Sequence, residues 1–275
     1  MIEFKEVYFK YPFEDTYALK NINIRISKGE CVFIMGSNGA GKTTLIKHIN
    51  GILKPTKGEV WVNGKNTKNF TVAELSKIVG IVFQNPDHQI FASSVYEEVA
   101  FALRNFKFDE KYIENKVNET LKFFSLEKYK EASPLFLSGG EKKRVTIASV
   151  VCYEPEILVL DEPTVGLDLK QRKNLVNLIN ELKKMNKTII VVTHDIDFAI
   201  ELANRVIIMK EGEVLKEGSI SDIIYDEETL RKANLIQPII PQVVTKLKLS
   251  ISSKKIITIE DFLTNLEIIL KNVKT

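Results

Sequence analysis

Cysteine is nearly absent: the 275 residues contain two, Cys31 and Cys152. Each lies in an apolar run, which reads as a small buried hydrophobe in a reducing compartment rather than a disulfide or thiolate metal site. Net charge is also small, since 39 Lys and Arg face 36 Asp and Glu, leaving +3. That balance provides no electrostatic footprint for nucleic acid, and no nucleic-acid partner is expected. Long hydrophobic runs are missing. The longest uncharged stretch, 233–245, is 13 residues and contains Pro238 and Pro241, whereas a spanning helix needs about 20 apolar residues. The opening residues MIEFKEVYF have no apolar segment behind a basic start, so no secretory leader is expected. Internal repeats and low-complexity tracts are absent. What remains is ordinary for a soluble globular chain, with 44% hydrophobic and 27% charged residues.

The patterning alternates strands with helices. Ile22, Ile24 and Ile26 alternate with polar residues, as in a half-buried strand. Cys31 to Met35, Val79 to Phe83, Ile157 to Leu160, Thr188 to Thr193 and Val206 to Met209 are short apolar runs typical of buried strands. Glu59 to Val62 reads as a strand ending in the turn Asn63-Gly64, and Glu211-Gly212-Glu213 reads as a hairpin turn. Helices are expected from about Lys42, over 94–124, from Ser138 to about Tyr153, over 170–185 and over 260–270, the last with Thr258 and Asp261 spaced as a capping box. This order predicts an α/β fold with a mostly parallel sheet, interrupted by a helical insertion. Residues 1–225 are expected to form the main unit, with a helical subdomain at about 90–153, and 226–275 a small C-terminal extension.

Gly36-Ser37-Asn38-Gly39-Ala40-Gly41-Lys42-Thr43 follows an apolar strand and opens a helix. Glycines at this spacing let backbone N–H groups turn toward phosphate oxygens, and the helix N-terminus adds its positive end. Lys42 then reaches the outer phosphates and Thr43 ligates Mg²⁺. The strand 157–160 delivers Asp161 and Glu162 to its tip. Unpaired buried carboxylates are costly, so both belong at an exposed strand end. Beside a nucleotide, Asp161 is the Mg²⁺ partner and Glu162 the group that orients or deprotonates water. Gln84 and His194 end two further apolar strands. If those strands are parallel, Gly36, Gln84, Asp161 and His194 share one rim, where open α/β sheets bind ligands. There Gln84 binds Mg²⁺ or its water, and His194 holds the γ-phosphate. His48 and His88 have no such placement and read as ordinary polar residues. Leu137-Ser138-Gly139-Gly140-Glu141 is a second anion-binding arrangement, a helix N-cap followed by two glycines. It serves either the same nucleotide or one held by another chain.

These elements, in this order over 1–225, resemble the ATP-binding subunit of an ABC transporter. The resemblance implies a P-loop ATPase core: a mixed, mostly parallel sheet, an antiparallel β portion, the helical insertion and the C-terminal extension. It implies ATP and Mg²⁺ as ligands, and extends the phosphate-binding set to Thr44. It assigns Ser138, Gly139 and Gly140 to the ATP of a second protomer, so that two chains sandwich two nucleotides head to tail. It implies that Tyr11 stacks on adenine, although a strand aromatic also serves a core, and that Asp168 in Gly166-Leu167-Asp168 couples the two sites.

The run Gln84-Asn85-Pro86-Asp87-His88-Gln89-Ile90-Phe91, with 95–101 and the LIQP of the C-terminal part, is similar to the ATPases of energy-coupling factor importers. Those importers take up vitamins, cobalt or nickel. Glu98 departs from an Asp common in that group, and Val165 from an Ala. The resemblance implies a peripheral subunit on the cytoplasmic face of the cell membrane, a second ATPase protomer (identical or related), an integral membrane coupling protein and a small substrate-binding membrane subunit. Ile90, Phe91, Val95 and Phe101 either pack on that coupling protein or form the core of the insertion. Alternatives are an ATPase of another ABC transporter class, a soluble ABC-type ATPase acting on ribosomes or nucleic acid, and a regulator that binds nucleotide without hydrolysis.

Overall fold

The short apolar runs 31–35, 79–82, 157–161 and 188–193 are buried along their whole length, as strands covered on both faces must be. A computed structural model describes residues 1–247 and 256–273. Its strands are β1 (Ile2–Phe9), β2 (Leu19–Ile26), β3 (Cys31–Met35), β4 (Lys57–Val62), β5 (Lys65–Asn66), β6 (Val79–Val82), β7 (Ile157–Asp161), β8 (Thr188–Thr193), β9 (Arg205–Lys210) and β10 (Glu213–Gly218). Its helices are α1 (Lys42–Ile49), α2 (Val72–Ser76), α3 (Val95–Asn105), α4 (Glu110–Phe123), α5 (Gly139–Val151), α6 (Leu169–Lys184), α7 (Ile196–Leu202), α8 (Ile220–Ile224), α9 (Glu227–Lys232), α10 (Ile239–Lys246) and α11 (Ile259–Val273).

The central sheet has the order β10-β9-β3-β8-β7-β6. All neighbours in it are parallel except β10, which folds back on β9. The antiparallel portion is a second sheet, β2-β1-β4-β5. One face of the central sheet (Val32, Ile34, Ile190, Val192) packs with Ile2, Phe4, Leu19 and Ile22 of the second sheet and with Leu45 and Ile46 of α1. The opposite face (Phe33, Leu158, Ile189, Val191) packs with the helices from α3 to α9. The chain therefore has the expected α/β architecture: a mixed, mostly parallel sheet, a separate antiparallel portion and a helical insertion. Both predicted turns form: Asn63 and Gly64 have φ of 46° and 75°, and Glu211 and Gly212 have 50° and 83°, the left-handed pairs that match strand twist in two-residue hairpins.

The helical pattern predicted over 94–124 is two helices, not one. Lys107 turns left-handed at φ 63°. Asp109 then caps α4, accepting from Lys111 N and Tyr112 N. The apolar stripes of both helices (Val95, Val99, Leu103; Ile113, Val117, Leu121) enter one core, so periodicity runs on across the break.

In the C-terminal part, Leu230, Ala233 and Leu235 join the same core as Phe33. Gln237 Nε2 donates to Ile224 O at 2.8 Å and the Tyr225 hydroxyl to Ile256 O at 2.6 Å. Asp261 N donates to Thr258 Oγ1 at 3.0 Å, and Thr258 N to Asp261 Oδ2 at 3.3 Å, so the expected capping box opens α11. Residues 248–255 and 274–275 of this extension lie outside the described residues. Both thiols are free and buried, and burial pushes the Cys31 thiol up to about 11.

Candidate active site

Parallel pairing of β3, β8, β7 and β6 brings their carboxyl ends to one rim. Gly36, His194, Asp161 with Glu162, and the Gln84 segment follow these strands. The condition on which the sequence reading rested is therefore met.

The loop from Gly36 turns tightly. A Cβ on Gly36, at φ 148°, would lie 2.2 Å from Met209 O, so no side chain fits. Lys42 is buried, and its ammonium donates to Gly36 O at 2.7 Å and Ser37 O at 3.0 Å. Burial lowers its pKa, with Glu162 and then Asp161 opposing. The Thr43 hydroxyl donates to Asp161 Oδ2 at 3.0 Å. The Thr44 hydroxyl meets the Tyr11 hydroxyl at 3.0 Å. Tyr11 also stands edge-on to Phe9 at 4.8 Å, so its ring is tied to both β1 and α1.

Asp161 and Glu162 are both buried and not at the exposed strand end expected of them, because hydrogen-bond partners from α1 and β8 meet them there. Burial raises the Asp161 pKa against the Thr43 hydrogen bond. Its Oδ1 is buried without any partner. A lone buried carboxylate oxygen costs free energy unless something is held there. Glu162 adopts a left-handed backbone at φ 46°. Such strain in a non-glycine residue persists only where surroundings enforce it. Here its N–H donates to Val192 O at 2.8 Å, and its carboxylate accepts from Thr193 Oγ1 at 3.0 Å and His194 Nδ1 at 2.9 Å. Glu162 and His194, read separately from the sequence, are one pair. The imidazole itself is over half exposed.

Gln84 is exposed just beyond β6. Sequence reasoning missed what holds it. Lys143 of α5 is buried and donates to Gln84 O at 2.9 Å and Phe83 O at 3.3 Å. Burial lowers its pKa to about 8, with Asp161 and Glu162 opposing. Its place on the buried stripe Gly140, Lys143, Ile147, Val150 was a legible signal. Gln89 accepts from Phe83 N and donates to Ile81 O, both at 3.2 Å, satisfying one group of the edge strand β6 and one just beyond it. The Glu98 carboxylate is buried and accepts from Phe91 N at 3.0 Å and Ala92 N at 2.8 Å. The departure from Asp at this position therefore anchors the loop after Gln84. The four apolar residues divide: Ile90 and Val95 are core, whereas Phe91 and Phe101 are 60% and 46% exposed and meet edge to face at 4.6 Å.

Ser138 caps α5, accepting from Glu141 N, while its hydroxyl donates to Glu141 Oε2 at 2.7 Å. The Tyr129 hydroxyl, then Ser138, pulls the Glu141 carboxyl down to about 2. A Cβ on Gly139 would meet nothing within 4 Å, so this helix end is open. No hydrogen bond or ion pair among the described residues joins 138–140 to 36–43. Asp168 caps α6 by accepting from Gln171 N at 2.7 Å, and Leu169 beside it is exposed. His48, read as an ordinary polar residue, is instead fully buried. Its Nδ1 donates to Thr44 O at 2.8 Å, its ring packs on Phe9, and Nε2 has no partner. No helix of the described residues is long and apolar enough to cross a membrane.

A glycine-lined phosphate loop, an acid at the next-but-one strand tip and a glutamate beside it define a P-loop nucleoside triphosphatase. Residues 19–165 match the ABC transporter family. The energy-coupling factor transporter ATP-binding protein EcfA of Methanocaldococcus jannaschii is 47% identical over 240 residues, covering 86% of each chain. That of Methanococcus maripaludis is 42% identical, covering 90% of this chain and 89% of its own. Among solved structures, cbiO1 from Clostridium perfringens, part of the ABC transporter complex cbiONQ, superposes with a TM-score of 0.75 at 39% identity, covering 89% of this chain and 98% of its own. A dimeric ATP-binding cassette in a post-hydrolysis state with ADP and Pi superposes with a TM-score of 0.73 at 35% identity, covering 80% and 99%. The chain belongs to the ABC transporter family. It is an ATP-binding subunit, an ATPase coupled to transport.

Proposed function

We propose that this chain energises an energy-coupling factor importer for cobalt, nickel or a vitamin, by closing with a second ATPase protomer around two ATP molecules. The observation that carries the dimer is the open helix end at Ser138–Gly139, which no hydrogen bond or ion pair joins to the phosphate loop among the described residues. The dimeric relative with ADP and Pi supports it, as do the EcfA proteins and cbiO1 for the importer.

In this reading Gly36–Thr44 and Tyr11 hold ATP, and the Lys42 ammonium leaves its two loop carbonyls for the outer phosphates. Asp161, with its unpartnered Oδ1, the Thr43 hydroxyl and Gln84 fit Mg²⁺, which when bound neutralises phosphate charge. Glu162 takes the proton of the attacking water. His194 and Thr193 hold that carboxylate at the rim. Ser138 and Gly139 of the opposite protomer donate to the same γ-phosphate, so its loss reopens the dimer, with Asp168 coupling the two sites. The exposed Phe91–Phe101 pair passes the movement to the membrane coupling protein. The chain is then peripheral, on the cytoplasmic face.

Two experiments test this. Glu162→Gln should bind ATP, stop hydrolysis and accumulate as a dimer by light scattering; a monomer under saturating ATP would overturn the closure. Tagged chain purified from detergent-solubilised native membranes should bring a multi-span protein and a small substrate-binding membrane subunit. Recovery of soluble ribosomal or DNA-associated proteins alone would overturn the importer assignment.

A further inference from the structure

We propose that Lys143 is a positioning residue that clamps Gln84 to the helix beginning at Ser138, so that each chain's own Mg²⁺ site and the site it offers its partner move together. A lysine ammonium has three donors, and two of them here go to the carbonyls of Phe83 and Gln84. Those carbonyls lie just beyond the end of β6, the edge strand of the central sheet among the described residues. The side chain is 2% exposed. A cation taken so far from water is costly unless fixed donors and acceptors replace the solvent. The carboxylates Asp161 and Glu162 favour its charge from the neighbouring strand tip.

Lys142, the preceding residue, pairs with Asp87 of the same loop at 2.7 Å. Two successive residues of α5 therefore grip the segment 83–87 from the helix that Ser138 caps. Gln89 ties Phe83 to Ile81 of β6, and Glu98 of α3 holds the following residues Phe91 and Ala92. The loop carrying Gln84 is thus braced at several points, and among the described residues the Lys143 bond is the one that falls on Gln84 itself, at its carbonyl. Removing it frees the residue assigned above to Mg²⁺ without touching the phosphate loop. A shift of about 1 Å in such a group costs on the order of a hundredfold in rate.

The consequence across two sites rests on the dimer mechanism proposed above; the clamp within one chain does not. The test is a double-mutant cycle in the full-length chain. Lys143→Met removes the donors while retaining most of the volume. It is expected to bind a fluorescent ATP analogue as wild type does, and to lose about tenfold or more in kcat with little change in KM. In a Gln84→Ala background the Lys143 bonds to the two backbone carbonyls remain possible, but the side-chain amide they position is gone, so the same substitution should have almost no further effect on kcat. Lys143→Arg, which restores donors, should recover part of kcat. If Lys143→Met costs the same factor with and without Gln84, the clamp is refuted. If Lys143→Met does not fold, Lys143→Leu, which also removes the donors, goes through the same cycle with the same criterion. Light scattering of Glu162→Gln with ATP separates the two ideas. A monomer there refutes the dimer mechanism, and with it the coupling across sites, while the cycle still decides the clamp.

Discussion

His48 makes folding stability sensitive to mild acid. The side chain is fully buried on α1, one turn beyond Thr44, and Nδ1 donates to the Thr44 carbonyl. Its pKa falls from 6.5 to about 4, mainly by burial, with the Thr44 hydrogen bond opposing. The folded chain holds it neutral, whereas the unfolded chain protonates it below about 6.5. Its contribution is present above the unfolded value and lost as pH falls toward the folded one. At ~1.4 kcal/mol for each pH unit, the full gap is worth ~3 kcal/mol, and ~2 kcal/mol of it disappears between about pH 7 and 5. That is a large share of the ~5–15 kcal/mol typical of a domain. The assay is urea unfolding followed by fluorescence of the lone tryptophan, Trp61, for the wild type and His48→Asn. Asn retains an N–H near the Thr44 carbonyl and does not titrate. All other ionisable side chains are common to both proteins, so the comparison isolates position 48. The stability difference between wild type and variant should shrink by ~2 kcal/mol from about pH 7 to 5. Parallel pH profiles would refute the reasoning.

Three further outcomes follow from contacts in the site. Lys42→Ala removes the only side-chain cation of the phosphate loop, and turnover should fall by about a hundredfold or more; ATPase assays showing full activity would refute the site. Ser138→Arg should be inactive alone and regain hydrolysis when mixed with Glu162→Gln protomers, since one composite site of the mixed dimer is then intact; no recovery argues against action in trans. Glu98→Ala leaves the N–H groups of Phe91 and Ala92 without their acceptor, at a cost of about 1–3 kcal/mol. Melting temperature should drop and limited proteolysis should open 85–94; an unchanged digest would show that Glu98 does not hold this loop.

Local chemistry is legible in a chain because its causes are local. The phosphate loop needs glycines where its backbone turns, a lysine at its end and a strand before it, all within a dozen neighbouring positions. The hairpin at Asn63-Gly64, the caps at Ser138 and Thr258 and the carboxylates after 157–160 are of the same kind. Four apolar runs ending in Gly36, Gln84, Asp161 and His194 announced a rim, on the one condition that the strands be parallel. Periodicity also located the apolar stripes of α3 and α4, but the stripe continues through the turn at Lys107, so the break was hidden.

Tertiary structure decided what meets what. The Glu162–His194 pair forms because β7 and β8 are neighbours, although their tips lie about thirty residues apart in sequence. Lys143 reaches Gln84 across some sixty residues, and only folding shows that this lysine of a buried stripe faces carbonyls rather than solvent. Ile90 and Val95 went to the core while Phe91 and Phe101 stayed outside, a division that spacing cannot make. His48 looked like any polar residue of a short helix until Phe9 closed over it. Hydropathy and spacing record how each residue prefers to be surrounded. Strand order and helix packing determine which partner supplies that surrounding.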